Sequence, residues 1–289
     1  MITAADVGGH KLALGLVENG KITAKRVLPT PAERTPEAVC AALKAMLAEL
    51  ESGPETPLAM GIPGMVSFDA QKIYRCPNLH GWDNLEARRL GELTGRPVTI
   101  LNDCDCAALG EMACGAARGL KNFVFTTLGT GIGGSIILDG KLVRGAGGRA
   151  GELGHLPLME DRACGCGGRG HTESFFSADV LERSGEKAGY GRDMKTLWGN
   201  RENRWLAPCF GRALTALACA FVSVTYLLDP EAIVVGGGLS HLEGLLDEVQ
   251  DYMQPLLSPP YRPGPRLIPA ALGNDAALLG AASALSQPF

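Results

Sequence analysis

The sequence predicts an α/β protein of two domains. A chain of 289 residues is longer than one ordinary hydrophobic core requires, so two domains are the natural expectation. Two glycine-rich turns, Asp6-Val-Gly-Gly-His10 and Leu128-Gly-Thr-Gly-Ile-Gly-Gly-Ser135, each lie between apolar runs of strand length. Glycine lets backbone N–H groups approach an anion without a Cβ in the way, so both turns are typical of phosphate-binding hairpins.

The first half of the chain predicts strands and helices in the order β-β-β-α-β-α-β-α. Asn19-Gly20 indicates a hairpin turn, and Thr35-Pro36 is a typical start of a helix. The predicted strands cover residues 1–6, 12–18, 22–28, 58–62 and 98–101, and the helices cover residues 35–51, 85–94 and 103–118.

A similar order begins again in the second half, which suggests a duplication. Strands are predicted at 123–128, 133–138 and 141–144, followed by a long helical region and a strand at 232–235. Glycine and alanine near 115–121 indicate the domain boundary, with domains 1–117 and 118–289. The closing helix, 275–285, could pack on either domain, and 190–205 is expected to be a surface helix and loop.

Composition and charge narrow the class of protein. The chain is 46% apolar and 20% charged, with a net charge of −4, so we expect a globular protein that does not bind nucleic acid. Residues 213–228 lack charges but fall short of the ~20 residues that span a bilayer, which favours a buried helix. The start of the chain lacks the basic region of a secretory signal.

The cysteines also indicate an intracellular protein. Their odd number, nine, argues against a complete disulfide framework, and we expect a reducing cytoplasm. Cys40, Cys209 and Cys219 lie in apolar helical contexts and are expected to be small core residues.

Asp103 is the first candidate for a catalytic residue. Transfer of a phosphoryl group to a hydroxyl requires a carboxylate within hydrogen-bonding reach of that hydroxyl. Asn102-Asp103 is predicted where a strand ends and a helix begins, which would expose the carboxylate. Spacing alone leaves open that Asp103 only caps the helix. Asp105 lies two residues on and does not share its helical face.

A second cluster has the spacing of a metal site. The pattern His155-x8-Cys164-x-Cys166-x4-His171 offers four ligands that suit tetrahedral Zn²⁺. Four protein ligands leave no open position for catalysis, so the predicted role is structural. The alternative is that Cys164 and Cys166 are free thiols in a disordered loop.

Taken in order, these motifs resemble the ROK family of bacterial sugar kinases across nearly the whole chain. The matching motifs are Asp6-x-Gly-Gly, Asn102-Asp103, Leu128-Gly-Thr-Gly-Ile-Gly-Gly, Gly151-Glu-Leu-Gly-His155, Cys164-Gly-Cys-Gly and Gly236-Gly-Gly238. The resemblance implies the actin-like (ribonuclease H-like) two-domain ATPase fold, with a cleft between lobes. Some family members are repressors with an added winged helix, but this sequence starts at the first hairpin, so we expect no DNA-binding part.

The resemblance also implies the roles of individual residues. Asp103 would be the catalytic base, and Asp6 would hold Mg²⁺ through water. His155 would both contact the sugar and bind zinc. The implied sugar ligands are Gly64, Asn78, Asn102, Asp103, Glu152, His155 and Glu173. The implied ATP-binding residues are Asp6, Gly8, Gly9, His10, Gly129, Thr130, Gly131, Gly133, Gly236 and Gly237. The implied zinc ligands are His155, Cys164, Cys166 and His171.

Two residues depart from the family pattern. His171 stands where a third zinc-binding cysteine is usual, and imidazole is a competent ligand. His10 stands where threonine is usual. Its imidazole would either weaken ATP binding and make the rate pH-dependent, or point away and leave the backbone amides to bind the phosphates.

The predicted function is ATP-dependent phosphorylation of a hexose at its primary hydroxyl, with glucose first. N-acetylmannosamine, N-acetylglucosamine, fructose and allose are alternative substrates, and polyphosphate is an alternative donor. An alternative of another class is a non-catalytic sugar sensor, which the presence of Asp103 and the glycine turn disfavours. The resemblance also implies a homodimer; no membrane partner is expected.

Overall fold

The computed structural model describes residues 1–158 and 160–286, and the chain divides into two compact units. The first unit comprises Met1–Gly119, Gly140–Ala150 and the C-terminal segment from Ala271. The second unit comprises Leu120–Asp139 and Gly151–Ala270.

The strands and helices of the described residues alternate along the chain. The strands are β1 (Ile2–Val7), β2 (Lys11–Glu18), β3 (Lys21–Pro29), β4 (Leu58–Ile62), β5 (Met65–Ser67), β6 (Lys72–Arg75), β7 (Leu85–Glu86), β8 (Val98–Asn102), β9 (Phe123–Leu128), β10 (Ile132–Leu138), β11 (Lys141–Leu142), β12 (Ala232–Gly236) and β13 (Arg266–Pro269). The helices are α1 (Pro36–Glu49), α2 (Ala87–Thr94), α3 (Asp103–Cys114), α4 (Ala178–Lys187), α5 (Met194–Gly199), α6 (Ala207–Leu228), α7 (Leu245–Met253) and α8 (Ala276–Ser286).

Two five-stranded sheets have the same strand order. One is β3-β2-β1-β4-β8 and the other is β11-β10-β9-β12-β13. In each, a central strand (β1 or β9) pairs antiparallel with the strand that follows it and parallel with a later strand. The recurring order of elements predicted from the sequence is therefore present in the sheets.

Two local sequence signals of the first unit, a hairpin turn and a helix cap, are present in the structure as predicted. Asn19 and Gly20 both have positive φ (50° and 72°), as the tight turn between β2 and β3 requires. The Thr35 hydroxyl accepts a hydrogen bond from the Ala38 N–H at 3.3 Å and caps α1, with Pro36 in its first turn.

The closing helix α8 belongs to the first unit, where it packs on α3 through backbone contact. A Cβ placed on Gly280 would lie 1.6 Å from the Cys106 carbonyl oxygen, and one on Gly110 would lie 2.1 Å from that of Ala276. Glycine at both positions lets the helices approach this closely. The fully buried Glu111 carboxylate strengthens the junction because it accepts hydrogen bonds from the N–H groups of Ala116, Ala271 and Leu272.

The second unit has a core built around α6. This helix is long and apolar enough to cross a membrane by length and composition, but 56% of its most apolar window is buried within the protein. Phe210, Leu214, Leu217 and Phe221 on its inner face belong to one hydrophobic cluster with β9 and β12. The uncharged run at 213–228 is thus part of a core helix, as predicted.

The structure corrects the sequence-based prediction in several places. Residues 190–205 contain α5, whose Leu197 and Trp198 are buried, and the Trp198 indole donates to the Glu243 carbonyl at 2.8 Å. The predicted helix 85–94 begins with the short strand β7, which pairs with β6 in a third sheet, β5-β6-β7. The helix predicted at 103–118 ends at Cys114, where Gly115 follows.

The α3–α8 contact predicts a large loss of stability for Gly280→Ala. The added Cβ meets a rigid carbonyl group, and overpacking of this kind costs about 1–3 kcal/mol or more. Gly199→Ala is the matched control, because a Cβ there has no neighbour within 4 Å among the described residues. Chemical unfolding should show a lower free energy of unfolding for Gly280→Ala than for Gly199→Ala, and equal values would contradict this packing.

Candidate functional site

The catalytic candidates of the first unit lie at the carboxyl ends of three neighbouring strands. β1, β4 and β8 are parallel, with Asp6 paired to Gly61 and Ile62 paired to Asn102. A Cβ on Gly61 would lie 3.7 Å from Cα of Asp103. Asp6 and Asp103 thus share the edge of the sheet where α/β proteins commonly bind ligands.

Asn102 fixes the junction between β8 and α3. Its side-chain oxygen accepts hydrogen bonds from the N–H groups of Cys104 (2.8 Å) and Asp105 (3.1 Å), and its amide donates to the Gly64 carbonyl at 2.9 Å. Asp103 also accepts from the Cys104 N–H, at 2.8 Å. Asn102 is therefore the N-cap of α3, and Asp103 begins the helix.

The Asp103 carboxyl lies in an environment that disfavours its charge. Burial raises its pKa to about 7, and the negative charge of Asp6 acts in the same direction. The Cys104 N–H opposes the shift, and Asp105 adds to it. Burial also raises the pKa of Asp6, against the opposing charges of Lys11 and Lys25. A carboxyl with a pKa near neutral pH suits general-base catalysis.

The first glycine turn contacts the segment that carries Asn78. A Cβ on Gly9 would lie 3.3 Å from Cβ of Asn78, and one on Gly8 would lie 3.0 Å from the Lys11 carbonyl oxygen. The His10 side chain is exposed. The Thr30 hydroxyl donates to the Gly8 carbonyl at 2.6 Å. Thr30 follows β3, and no motif in the sequence marks it.

Gly64 has a structural reason to be glycine. Its φ is +108°, and a Cβ there would lie 2.3 Å from the Arg75 carbonyl oxygen at the end of β6. The structure thus brings Gly64 together with Asn102, and Asn78 together with the first glycine turn.

In the second unit, Glu173 contacts the turn between β9 and β10. Its Oε2 accepts a hydrogen bond from the Ile132 N–H at 3.0 Å, and a Cβ on Gly131 would lie 2.3 Å from the same oxygen. Gly237 lies close to the residue that precedes this turn: its φ is +84°, and a Cβ there would lie 2.4 Å from the Leu128 carbonyl oxygen. Three features of the second unit therefore lie close together: the glycines at 129–133, the Gly236-Gly237 loop and Glu173.

Close contact with neighbouring backbone explains the glycines at positions 151 and 154. A Cβ on Gly151 would lie 2.8 Å from the Gly134 carbonyl oxygen, and one on Gly154 would lie 2.3 Å from that of Ile132. These glycines let the short 3-10 helix Leu153–His155 pack directly on the backbone of β10.

The four predicted metal ligands come together in the second unit. The ligand atoms of His155, Cys164, Cys166 and His171 all lie within 4.8 Å of one another. Ligands of tetrahedral zinc lie about 3.3–3.8 Å apart, as the usual Zn–N and Zn–S bond lengths require, so a small contraction would complete the site. Two nitrogen and two sulfur donors fit Zn²⁺. Cys164 and Cys166 lie in a short hairpin that the antiparallel bridge between Ala163 and Arg169 closes, rather than in a disordered loop.

Glu152 orients one of the two histidines of this cluster, His155. Its Oε2 lies 3.1 Å from Nδ1 of His155, and this hydrogen bond raises the pKa of His155 to about 9. Carboxylates that hold the second ring nitrogen of a ligating histidine fix its orientation. Glu152 and His155 are therefore joined by a direct hydrogen bond.

Comparison with known proteins identifies the chain. The two sheets of matching strand order and the similarity to solved sugar kinases define the actin-like ATPase fold. A model of the ROK family matches residues 2–287, and the protein belongs to that family. It is 34% identical to a glucokinase of Streptomyces coelicolor, over 98% of this chain and 96% of that protein.

Two further proteins support this class. The chain is 32% identical to an N-acetylmannosamine kinase of Salmonella typhi, over 96% of each. It also superposes on a ROK family glucokinase from Streptomyces griseus in complex with glucose and AMPPNP, with a TM-score of 0.83 and 29% identity over 98% of each chain. The protein is a sugar kinase.

The ligand cluster predicts bound zinc. Native protein should contain about one zinc per chain, and Cys166→Ser should lower that content because it removes one of four ligands. Cys219→Ser, on α6, is the control and should retain the metal; His171→Cys should also retain it. Elemental analysis of purified protein measures the content. Full stability and activity in a zinc-free preparation would contradict the structural role.

Proposed function

We propose that this sugar kinase transfers the terminal phosphoryl group of Mg-ATP to the 6-hydroxyl group of glucose. The observation that carries the proposal is the position of Asp103, partly buried at the carboxyl edge of the parallel strands with a pKa raised to about 7. The glucokinase relative and the related structure that contains glucose and AMPPNP support this choice of substrates.

Asp103 acts as the general base in this proposal. Its carboxylate accepts the proton of the sugar hydroxyl while that oxygen forms its bond to phosphorus, a contribution of about 10²–10⁴-fold in rate. Asn102 holds the carboxylate in place because its side chain joins the start of α3 to Gly64.

The proposed sugar ligands include hydrogen-bond donors and acceptors. In the first unit they are the Asn78 and Asn102 amides, the Asp103 carboxylate and the Gly64 backbone; in the second unit they are Glu152, His155 and Glu173. Such fixed donors and acceptors discriminate among sugars because an unmatched buried polar group is costly. The hairpin of β9 and β10 is the proposed phosphate hairpin of the second unit, and Glu173 also contacts it through the Ile132 N–H.

The phosphates are bound through backbone N–H groups in the two glycine turns, Gly8-Gly9 and residues 129–133. Exposure of the His10 side chain favours this interpretation over a direct role for its imidazole. Asp6 is the proposed residue for Mg²⁺, which neutralises phosphate charge when bound. Gly236 and Gly237 are proposed to contact the adenosine. His155, Cys164, Cys166 and His171 are the proposed zinc ligands.

N-acetylmannosamine is the second candidate substrate, because a kinase for that sugar is 32% identical to this chain. A glucokinase and an N-acetylmannosamine kinase share the chemistry assigned to Asp103. They differ in how the pocket accommodates an acetamido group.

ADP release from Mg-ATP should be measured with glucose, N-acetylmannosamine and other hexoses. Glucose should give the highest kcat/KM. Asp103→Asn should lower kcat by about 10²–10⁴-fold with little change in sugar affinity, because it removes the base. Asp105→Asn, in the same helical turn, is the control and should stay within a few-fold of the native rate at pH 8.

Three outcomes would contradict parts of this proposal. Retained turnover by Asp103→Asn would refute the assignment of the base. A clear preference for N-acetylmannosamine would refute glucose. Sugar binding without turnover of any sugar, in folded metal-loaded protein, would favour the sensor.

A further inference from the structure

A cavity of about 500 Å³ in the second unit adjoins the phosphate hairpin. Thr130 of the hairpin lines it, together with residues of the hairpin that carries the metal ligands and residues at the start of α4. The charged and polar side chains on its wall include Arg162, Glu173, Ser177, Asp179 and Arg183. Neither Arg162 nor Arg183 has a role in the site described above.

Most charges at this cavity already have partners. Arg183 forms an ion pair with Asp179, which also lies 3.6 Å from Arg192. Glu173 accepts hydrogen bonds from the Ile132 N–H and from the Cys164 thiol, at 3.0 and 3.8 Å.

The charged residues close to Arg162 in the sequence are paired with other residues, whereas Arg162 is not paired in the part of the chain that the structure describes. Asp161 pairs with Arg169, and Glu160 lies 3.6 Å from Arg212. Within residues 1–158 and 160–286, no ion pair involves the Arg162 guanidinium. Its positive charge is therefore available to an anion in the cavity.

The backbone and the ring of Phe175 hold Arg162 in place. The Arg162 carbonyl accepts a hydrogen bond from the Gly170 N–H at 2.7 Å, and the next residue, Ala163, pairs with Arg169 across the hairpin. The guanidinium carbon lies 5.3 Å from the centroid of Phe175, a buried ring. The contact with Phe175 therefore restrains the guanidinium, and the backbone bonds restrain the segment that carries it.

We propose that Arg162 binds the phosphate chain of the phosphoryl donor at this cavity; the inference rests on the proposed kinase function. Residues 123–138, which form the hairpin strands and turn, contain no lysine or arginine. Phosphoryl transfer requires cations that neutralise charge on the donor. A guanidinium group offers several N–H donors in a geometry that matches phosphate oxygens.

Direct binding tests this role without dependence on turnover. The affinities of Mg-ATP, Mg-tripolyphosphate and adenosine should be measured by calorimetry for the native protein and for Arg162→Ala, Arg162→Gln and Arg169→Ala. Arg169 is the matched control, on the same hairpin but paired with Asp161. Equal zinc content in all four proteins would show that the hairpin is intact. Arg162→Gln keeps most of the side-chain volume if the alanine variant misfolds.

Loss of Arg162 should weaken Mg-ATP binding by about tenfold or more, the usual effect of removing a charge-assisted hydrogen bond. Adenosine binding and the KM for sugar should not change. A parallel loss for tripolyphosphate would mean that the site accepts a phosphate chain without a nucleoside. If the native protein binds Mg-ATP but not Mg-tripolyphosphate, the site requires the nucleoside as well as the phosphate chain.

Unchanged Mg-ATP affinity in both Arg162 variants, or an equal loss of adenosine binding, would overturn the proposal. These outcomes are distinct from failure of the kinase function. Absence of sugar phosphorylation by the native protein would refute that function, whereas nucleotide binding would still report on Arg162.

Discussion

The site in the first unit depends on a partly buried carboxyl group at the junction of a strand and a helix. Burial keeps the pKa of Asp103 near 7, but it also requires that the surrounding backbone be held in place. Asn102 supplies the helix cap and the bond to Gly64. Behind the junction, Gly110 and Gly280 let α8 support α3 by direct backbone contact. The fold thus stabilises an arrangement that costs free energy locally.

In the second unit, the Glu173 carboxylate joins two segments of the candidate site. One of its carboxylate oxygens accepts from the Ile132 N–H in the β9–β10 hairpin, and the other accepts from the Cys164 thiol in the hairpin of the predicted metal ligands. A bound metal that orders the cysteine hairpin would therefore also order the carboxylate beside the glycine turn. This link gives a structural metal a physical route to affect the site without any part in the chemistry.

Much of the fold was predictable from the sequence because its signals are local. Hydrophobic periodicity, the Asn19-Gly20 turn and the Thr35 cap place most strands and helices, and spacing alone suggested the metal cluster. The third sheet was missed because its strands are short. Contacts such as Gly280 with Cys106, Gly154 with β10 and Thr30 with Gly8 join distant residues, so no local pattern reveals them. The role proposed for Arg162 was not predicted, because the sequence does not show which nearby charged side chains form ion pairs with one another.

The central claim is that its environment makes Asp103 a base with a pKa near neutral pH. The most direct test is kcat/KM for the sugar from pH 5 to 9, for native protein and Asp105→Asn, with Mg-ATP kept far below its own KM so that the profile reports the free enzyme. Native kcat/KM should rise through a pKa of about 7, because only ionised Asp103 accepts the proton. Since the Asp105 charge raises that pKa, the variant should show the same rise at lower pH. Superimposable profiles, or a native profile that stays flat below pH 7, would contradict the account.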